Sequence, residues 1–200
     1  YDMDHTSMDS MGVVIGRKKI GEKDVIAVAL RGDGYGVEMA ANFISGSDGD
    51  IQAFSEAESL VESRVSAYLE DHSVIAAKFW VVGYSRSGAV ADLFGRELNK
   101  NLSEYRTTAD DIYVYTFSAA IGSSEDTVYE NIHNIVDLRD GVNYIYPRSW
   151  SLSCSGVAEY IGDPEEAITV KIYALSEEGY SQDIGEMKTA DFPHDFIGFL

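Results

Sequence analysis

Residues 79–98 read FWVVGYSRSGAVADLFGREL. The apolar run 79–82 ends in Gly83, and Tyr84-Ser85-Arg86-Ser87-Gly88-Ala89 follow it. Beyond them Val90, Leu93, Phe94 and Leu98 recur at one-turn intervals, so they share one helical face. Strand, sharp turn and helix in that order form the setting of a nucleophile elbow, in which the turn exposes one serine at the top of a sheet. The helix then points its positive N-terminal end at that serine. Strand and helix can approach closely only where side chains are small, and Gly83, Ser87, Gly88 and Ala89 supply them. The match to G-x-S-x-G is incomplete, because Ser87 holds the fifth position and the glycine comes one place later. The other reading of the stretch is a plain strand-to-helix turn in which Ser85 caps the helix.

On the N-terminal side, residues 12–15 and 25–30 read as two strands joined by the charged turn GRKKIGEKD. The run IAVAL in the second strand is apolar throughout, as in a strand buried on both faces. It leads into Arg31-Gly32-Asp33-Gly34-Tyr35-Gly36, and three glycines in six residues mark a loop where backbone approaches something closely. Residues 44–51 read as a surface loop. Residues 53–71 read as an amphipathic helix, with Phe54, Ala57, Leu60, Val61, Val65, Tyr68 and Leu69 on one stripe.

On the C-terminal side, IYVYTF (112–117) is β-branched and aromatic, as a strand requires. Residues 128–133 lead into a strand at 134–138 that ends in Arg139-Asp140-Gly141. Residues 157–161 and 167–174 read as a late hairpin, and 177–190 as a polar loop. Strands alternating with helices predict an α/β fold, a mostly parallel central sheet with helices on both faces. Two hundred residues without a linker or repeat read as one domain spanning 1–200.

Composition narrows the function. Arg and Lys number 15 against 34 Asp and Glu, a net charge of -19, which opposes electrostatic binding to nucleic acid or anionic membrane. No apolar run reaches the length of a membrane span. No D-x-D-x-D-G loop supports a calcium site. Cys154 is the sole cysteine, so no internal disulfide forms. The chain begins at Tyr1, so the lack of a signal peptide says nothing about export.

In open α/β sheets, active sites lie outside the carboxyl ends of the strands. Ser85, Asp140 and the loop 32–36 fall at such ends, and in the chain order Ser…Asp…His only His194 lies beyond Asp140. The roles have separate physical reasons. Serine is a weak nucleophile until a base takes its proton. Histidine titrates near neutrality and can accept that proton and pass it on. A carboxylate on the other ring nitrogen fixes the tautomer and stabilises the imidazolium. The oxyanion needs fixed donors, here the backbone N–H groups of Arg86 and Asp33. Asp137 competes with Asp140 for the acid, but Asp140 lies just past the strand and is followed by glycine. His133 inside a strand and His72 at a helix end read as structural, and His5 as solvated.

The chain resembles the class 3, fungal triacylglycerol-lipase-like, family of α/β-hydrolases, and most of all bacterial lipase-family proteins whose elbow reads GHSRGAAVANLLA. Here that stretch is GYSRSGAVADLFG. VIAVALRGDGYGVEMAANF, YVYTFSAA, NIHNIVDLRDGVNYIYP and the tail PHDFIGFL resemble further blocks of that family. The resemblance implies an α/β-hydrolase fold and hydrolysis of carboxylic esters by a Ser-His-Asp triad without cofactor or metal. It puts Ser85 in the role of nucleophile, Asp140 of acid and His194 of base, with Asp33 and Arg86 as oxyanion donors. The substrate is then a small-molecule ester or lipid, in a secreted or cell-surface setting. Short or medium acyl chains and lysolipid-like esters fit a chain in which no segment reads as a lid. The chain departs from the family at Tyr84 and Ser87 in the elbow, at Asp33, at Gln52-Ala53 and at Met39. A carboxylate at Asp33 is compatible with an oxyanion only if its N–H alone points inward. The competing class is a hydrolase-fold binding domain without activity.

Overall fold

The computed structural model describes residues 11–32, 49–137, 140, 142, 151–161, 167–176 and 179–190. The first two strands are β1 (Gly12–Ile20) and β2 (Lys23–Arg31), followed by helix α1 (Gln52–Asp71). Strand β3 (Ala77–Tyr84) runs into helix α2 (Arg86–Lys100), and then come β4 (Ile112–Phe117), β5 (Tyr129–Asp137) and β6 (Gly156–Ile161). The last pair is β7 (Ala167–Ser176) and β8 (Gly179–Ala190). Strands β1 to β6 form one sheet in sequence order, antiparallel at β1–β2 and parallel from β2 to β6. The expected mostly parallel sheet is therefore present.

Alternation decides which side chains are buried. Ile26, Val28, Phe79, Val81, Ile112, Val114 and Ile132 project to one face and join a single core with Phe54, Val61 and Val65 of α1 and with Val90, Leu93 and Phe94 of α2. Both described helices lie on this face. The opposite face carries Trp80, Val82, Tyr113, Tyr115 and Phe117 around a cavity of about 610 Å³. Trp80 is 56% exposed there.

The structure corrects several expectations. The charged segment 16–24 is strand except at Gly21-Glu22, because Arg17 to Ile20 pair with Lys23 to Ile26 while the side chains of Arg17 to Ile20 stay exposed. Gly21 takes φ +63 in that two-residue turn, a conformation glycine adopts without steric cost. Strand β2 is not buried on both faces, since Ala29 faces outward and is exposed. Leu60, placed in the helical stripe, is 52% exposed, whereas Ala53 is buried. Asp50 and Ile51, read as surface loop, are buried; the rest of 44–51 up to residue 48 lies outside the described residues. Strand β6 joins the main sheet beside β5, and the hairpin forms instead between β7 and the polar segment 179–190. Backbone pairing supplies the same hydrogen bonds whatever the side chains, so a polar strand leaves little trace in hydropathy.

Candidate active site

Glycine at position 83 is a steric requirement. A Cβ there would lie 2.2 Å from the Ser87 carbonyl oxygen and 2.9 Å from the Gly88 nitrogen, so no other residue fits the turn without moving backbone. Two residues later, Ser85 adopts φ 56 and ψ −124, a region that side-chain-bearing residues seldom occupy and that costs roughly 1–3 kcal/mol. Surrounding bonds fix it there. The Ser85 N–H donates to the Phe117 carbonyl at 2.9 Å, and the Ser85 carbonyl accepts from Gly88 at 2.9 Å and from Ala89 at 3.2 Å. The Ser87 hydroxyl donates to the Tyr84 carbonyl at 2.7 Å and accepts from the Tyr84 N–H at 3.1 Å.

Ser85 occupies the N-cap position of α2, yet its side chain makes no capping hydrogen bond. The plain-cap reading of the serine is thereby corrected, because a cap serine bonds the N–H of the second or third helical residue. Ser85 is partly exposed. The N-terminal end of the helix, with the backbone N–H of Arg86 as its first amide, carries the positive end of the helix dipole beside it. The end of β2 comes to the same place. A Cβ built on Gly32 would stand 3.7 Å from Arg86 Cβ and 3.9 Å from the Ser87 nitrogen, so the loop that Gly32 opens starts against the elbow.

Strands β3, β4 and β5 run parallel, with Tyr84 opposite Phe117 and Phe117 opposite Ile135. Their carboxyl ends therefore share one edge, and Ser85, Ser118 and Asp140 follow those ends. Asp140 is 6% exposed. Its N–H donates to the Asp137 carbonyl at 3.0 Å and its Oδ1 accepts from the Val142 N–H at 2.9 Å, which holds the carboxylate in one orientation. Asp137 is buried as well, at 4% exposure, so burial does not separate the two acids. Asp33 and His194 lie outside the described residues, as does His5.

The remaining histidines sit elsewhere. His72 caps the C-terminus of α1, its Nδ1 3.0 Å from the Tyr68 carbonyl and its ring stacked on Tyr68. His133 stacks on Tyr115 on the sheet face that carries Trp80 and pairs with Glu159 at 2.7 Å. Cys154 offers no rival nucleophile, since burial, with Asp92 beside it, pushes its thiol up to about 12 and keeps it protonated. Among the described residues no three His, Cys, Asp or Glu side chains converge as metal ligands.

The sequence reading missed the polar groups that brace this edge. Asp92, 4% exposed on α2, accepts from Asn134 Nδ2 at 3.1 Å and from the Ser155 N–H at 2.8 Å. Asn134 also accepts from the Thr116 hydroxyl at 2.5 Å, so helix α2 is tied to β4, β5 and the start of β6. Burial raises the Asp92 carboxyl above the ordinary range, against the opposing pull of these donors. A second brace links Arg96 of α2 to Asp50 at 2.7 Å and to the Ser123 hydroxyl at 2.9 Å. Asp50 in turn accepts from the Ser124 N–H and hydroxyl, both at 2.7 Å. The one available signal was an aspartate and an arginine interrupting the apolar spacing of α2.

No family model matches the chain, and no curated protein matches it by sequence. Solved structures do. A fungal lipase bound to an inhibitor superposes with a TM-score of 0.64 at 16% identity, covering 82% of this chain and 67% of that one. A Rhizomucor miehei lipase–propeptide complex gives 0.63 at 18% identity, covering 82% and 57%. A triacylglycerol lipase whose catalytic centre is a serine-protease-type triad gives 0.62 at 18%, covering 82% and 66%. The chain thus spans between 57% and 67% of the length of these enzymes. It has the α/β-hydrolase fold in the form that fungal triacylglycerol lipases share.

Proposed function

We propose that this chain is a serine-dependent carboxylic ester hydrolase working through an acyl-enzyme. Ser85 Oγ attacks the ester carbonyl while His194 takes its proton. The tetrahedral oxyanion accepts hydrogen bonds from the backbone N–H groups of Arg86 and Asp33. The intermediate collapses as His194 returns the proton to the departing alcohol. Water, deprotonated by the same imidazole, then releases the acid and frees Ser85. Asp140 holds the imidazole tautomer and stabilises the imidazolium. Short and medium acyl esters, or lysolipid-like esters, are the substrate class.

The observation that carries this reading is the backbone of Ser85. A serine held at φ 56 and ψ −124 between a parallel strand and a helix, without capping that helix, spends strain that a structural cap would not need. Two further features support it: the position of Gly32 against Arg86, where a second oxyanion donor has to enter, and the buried, oriented carboxylate of Asp140 at the same sheet edge.

The test is steady-state hydrolysis of p-nitrophenyl acetate, butyrate, octanoate and palmitate by the wild-type chain beside Ser85→Ala. The expected result is hydrolysis that Ser85→Ala reduces by at least about 10³-fold, with the melting temperature nearly unchanged. The preferred chain length then sizes the acyl site. Hydrolysis surviving in Ser85→Ala would remove the triad. No hydrolysis and no fluorophosphonate labelling of the wild-type chain would leave a binding domain on a hydrolase fold.

A further inference from the structure

We infer that Ser87 is a positioning residue for Ser85: its hydroxyl clamps both backbone polar groups of Tyr84 and so holds the elbow in its strained conformation. The inference rests on Ser85 being the nucleophile. In an extended strand the N–H and C=O of one residue point to the same side, so a single hydroxyl can serve both. Ser87 Oγ does this at 2.7 Å to the carbonyl and 3.1 Å from the N–H. The register of β2 on β3 ends at Leu30 opposite Gly83. The clamp engages one residue further on, between the end of the ladder and the nucleophile.

Three observations make this more than a local turn bond. Ser87 is 2% exposed, so water does not compete for its hydroxyl. Its own carbonyl oxygen lies 2.2 Å from where a Gly83 Cβ would be, so the Ser87 backbone is already pressed against β3. Of the two residues between the clamped ends, Ser85 and Arg86, the first is the one at φ 56. A serine in place of the second motif glycine thus adds a tether across the segment that has to stay strained. Small displacements of a nucleophile are expensive, about 10²-fold for 1 Å in known cases, so loss of the tether acts on the chemical step more than on ester binding.

The experiment compares the wild-type chain with Ser87→Ala and Ser87→Gly on p-nitrophenyl butyrate. Competent sites are first counted by fluorophosphonate titration to completion, and kcat is expressed per titrated site. The expected outcome in both variants is a fall of about tenfold in kcat per site with KM within about twofold of wild type. A purely structural role would lower the number of titratable sites and the melting temperature and leave kcat per site unchanged, which would overturn the inference. Ser87→Gly removes the hydroxyl while leaving the residue that the elbow pattern ordinarily has, so it reports even if Ser87→Ala does not fold. Ser85-dependent turnover with kcat per site unaltered in both variants overturns the role of Ser87 alone. Absence of Ser85-dependent labelling in the wild-type chain overturns the nucleophile assignment first, and this inference with it.

Discussion

At the scale of single residues, the elbow depends on atoms that are absent as much as on those present. Gly83 has no side chain because the Ser87 carbonyl occupies the place where one would go. Gly83→Ala has to push backbone on backbone, which neither the strand nor the first turn of α2 can relieve by rotating a side chain. Destabilisation of about 3 kcal/mol is expected, at the upper end of ordinary overpacking costs. For a chain of this length that lowers the melting temperature by roughly 6–12 °C, measurable by calorimetry or circular dichroism. A change under 2 °C would show that the turn is softer than its contacts indicate. Gly83, Ser85 and Gly88 were legible because their spacing is a local pattern. The clamp by Ser87 was not, since the sequence shows a departure from glycine and gives no sign of what the hydroxyl binds.

At the scale of elements, the seam between α1 and α2 carries more acid than its burial favours. Glu58 and Glu62 of α1 face Glu97 and Arg96 of α2, with Asp50 before α1 and Glu104 and Tyr105 after α2. Glu58 Oε1 is buried with no hydrogen-bond partner. Burial first, and then the charges of Glu62 and Glu97, push its carboxyl up to about 7. Because the folded value lies above the unfolded one, folding takes up a proton between about pH 4.5 and 7, and stability falls as pH rises through that window. Asp24, Asp50 and Asp111 act in the opposite sense. Arg17 bonds Asp24, Arg96 bonds Asp50 and Lys23 bonds Asp111, and each carboxyl is held below its ordinary value, so their contributions are lost only as pH falls below about 4. Stability should therefore peak near pH 5. Melting temperatures at pH 5 and pH 8 should differ by several degrees in the wild-type chain and converge in Glu58→Gln, as expected for roughly 2–3 kcal/mol held in one carboxyl. An undiminished difference in Glu58→Gln would place the titration elsewhere. The amphipathic pattern of α1 announced the helix and most of its buried face. It could not announce the seam, because Glu58 reads as a solvent-side residue until α2 is laid against it. The strand order has the same character. Strands β2 and β3 were recognisable as apolar runs and β4 by its β-branched and aromatic residues, whereas β6 showed its place only by pairing with β5, and β8, whose segment is mostly polar, only by pairing with β7.

At the scale of the whole molecule, a net charge of -19 on 200 residues means that repulsion between acids outnumbers their pairing with cations. Two electrostatic effects compete when salt is added. Screening weakens the general repulsion, which stabilises the compact state. It also weakens the attractive pairs, Arg17–Asp24, Lys23–Asp111, Lys78–Asp111, Arg96–Asp50 and Lys100–Glu125. The decisive difference is location. Asp24, Asp50 and Asp111 are each buried at 5% exposure or less, and Arg96 is largely covered, so salt reaches the Arg96–Asp50 pair poorly and the carboxylate ends of the Arg17–Asp24 and Lys23–Asp111 pairs less than it reaches Lys100–Glu125, which is exposed at both ends. Among the described residues the acids outside these pairs are mostly exposed, and a Debye length of about 10 Å at 0.1 M is short against the spacing of charges spread over a surface. Repulsion should therefore be relieved more than attraction is lost. Raising sodium chloride from 20 to 200 mM at pH 7.5 is expected to increase the melting temperature by about 3 °C, equivalent to roughly 1 kcal/mol for a chain of this size. The same change should leave hydrolysis of a neutral p-nitrophenyl ester within about twofold, because an uncharged substrate gains nothing from the long-range field. A melting temperature that falls with salt would mean that the ion pairs tying β1, β2 and α2 to their neighbours outweigh the excess charge, and that the acidity of the chain is stabilised by its few cations instead of opposed by its own repulsion.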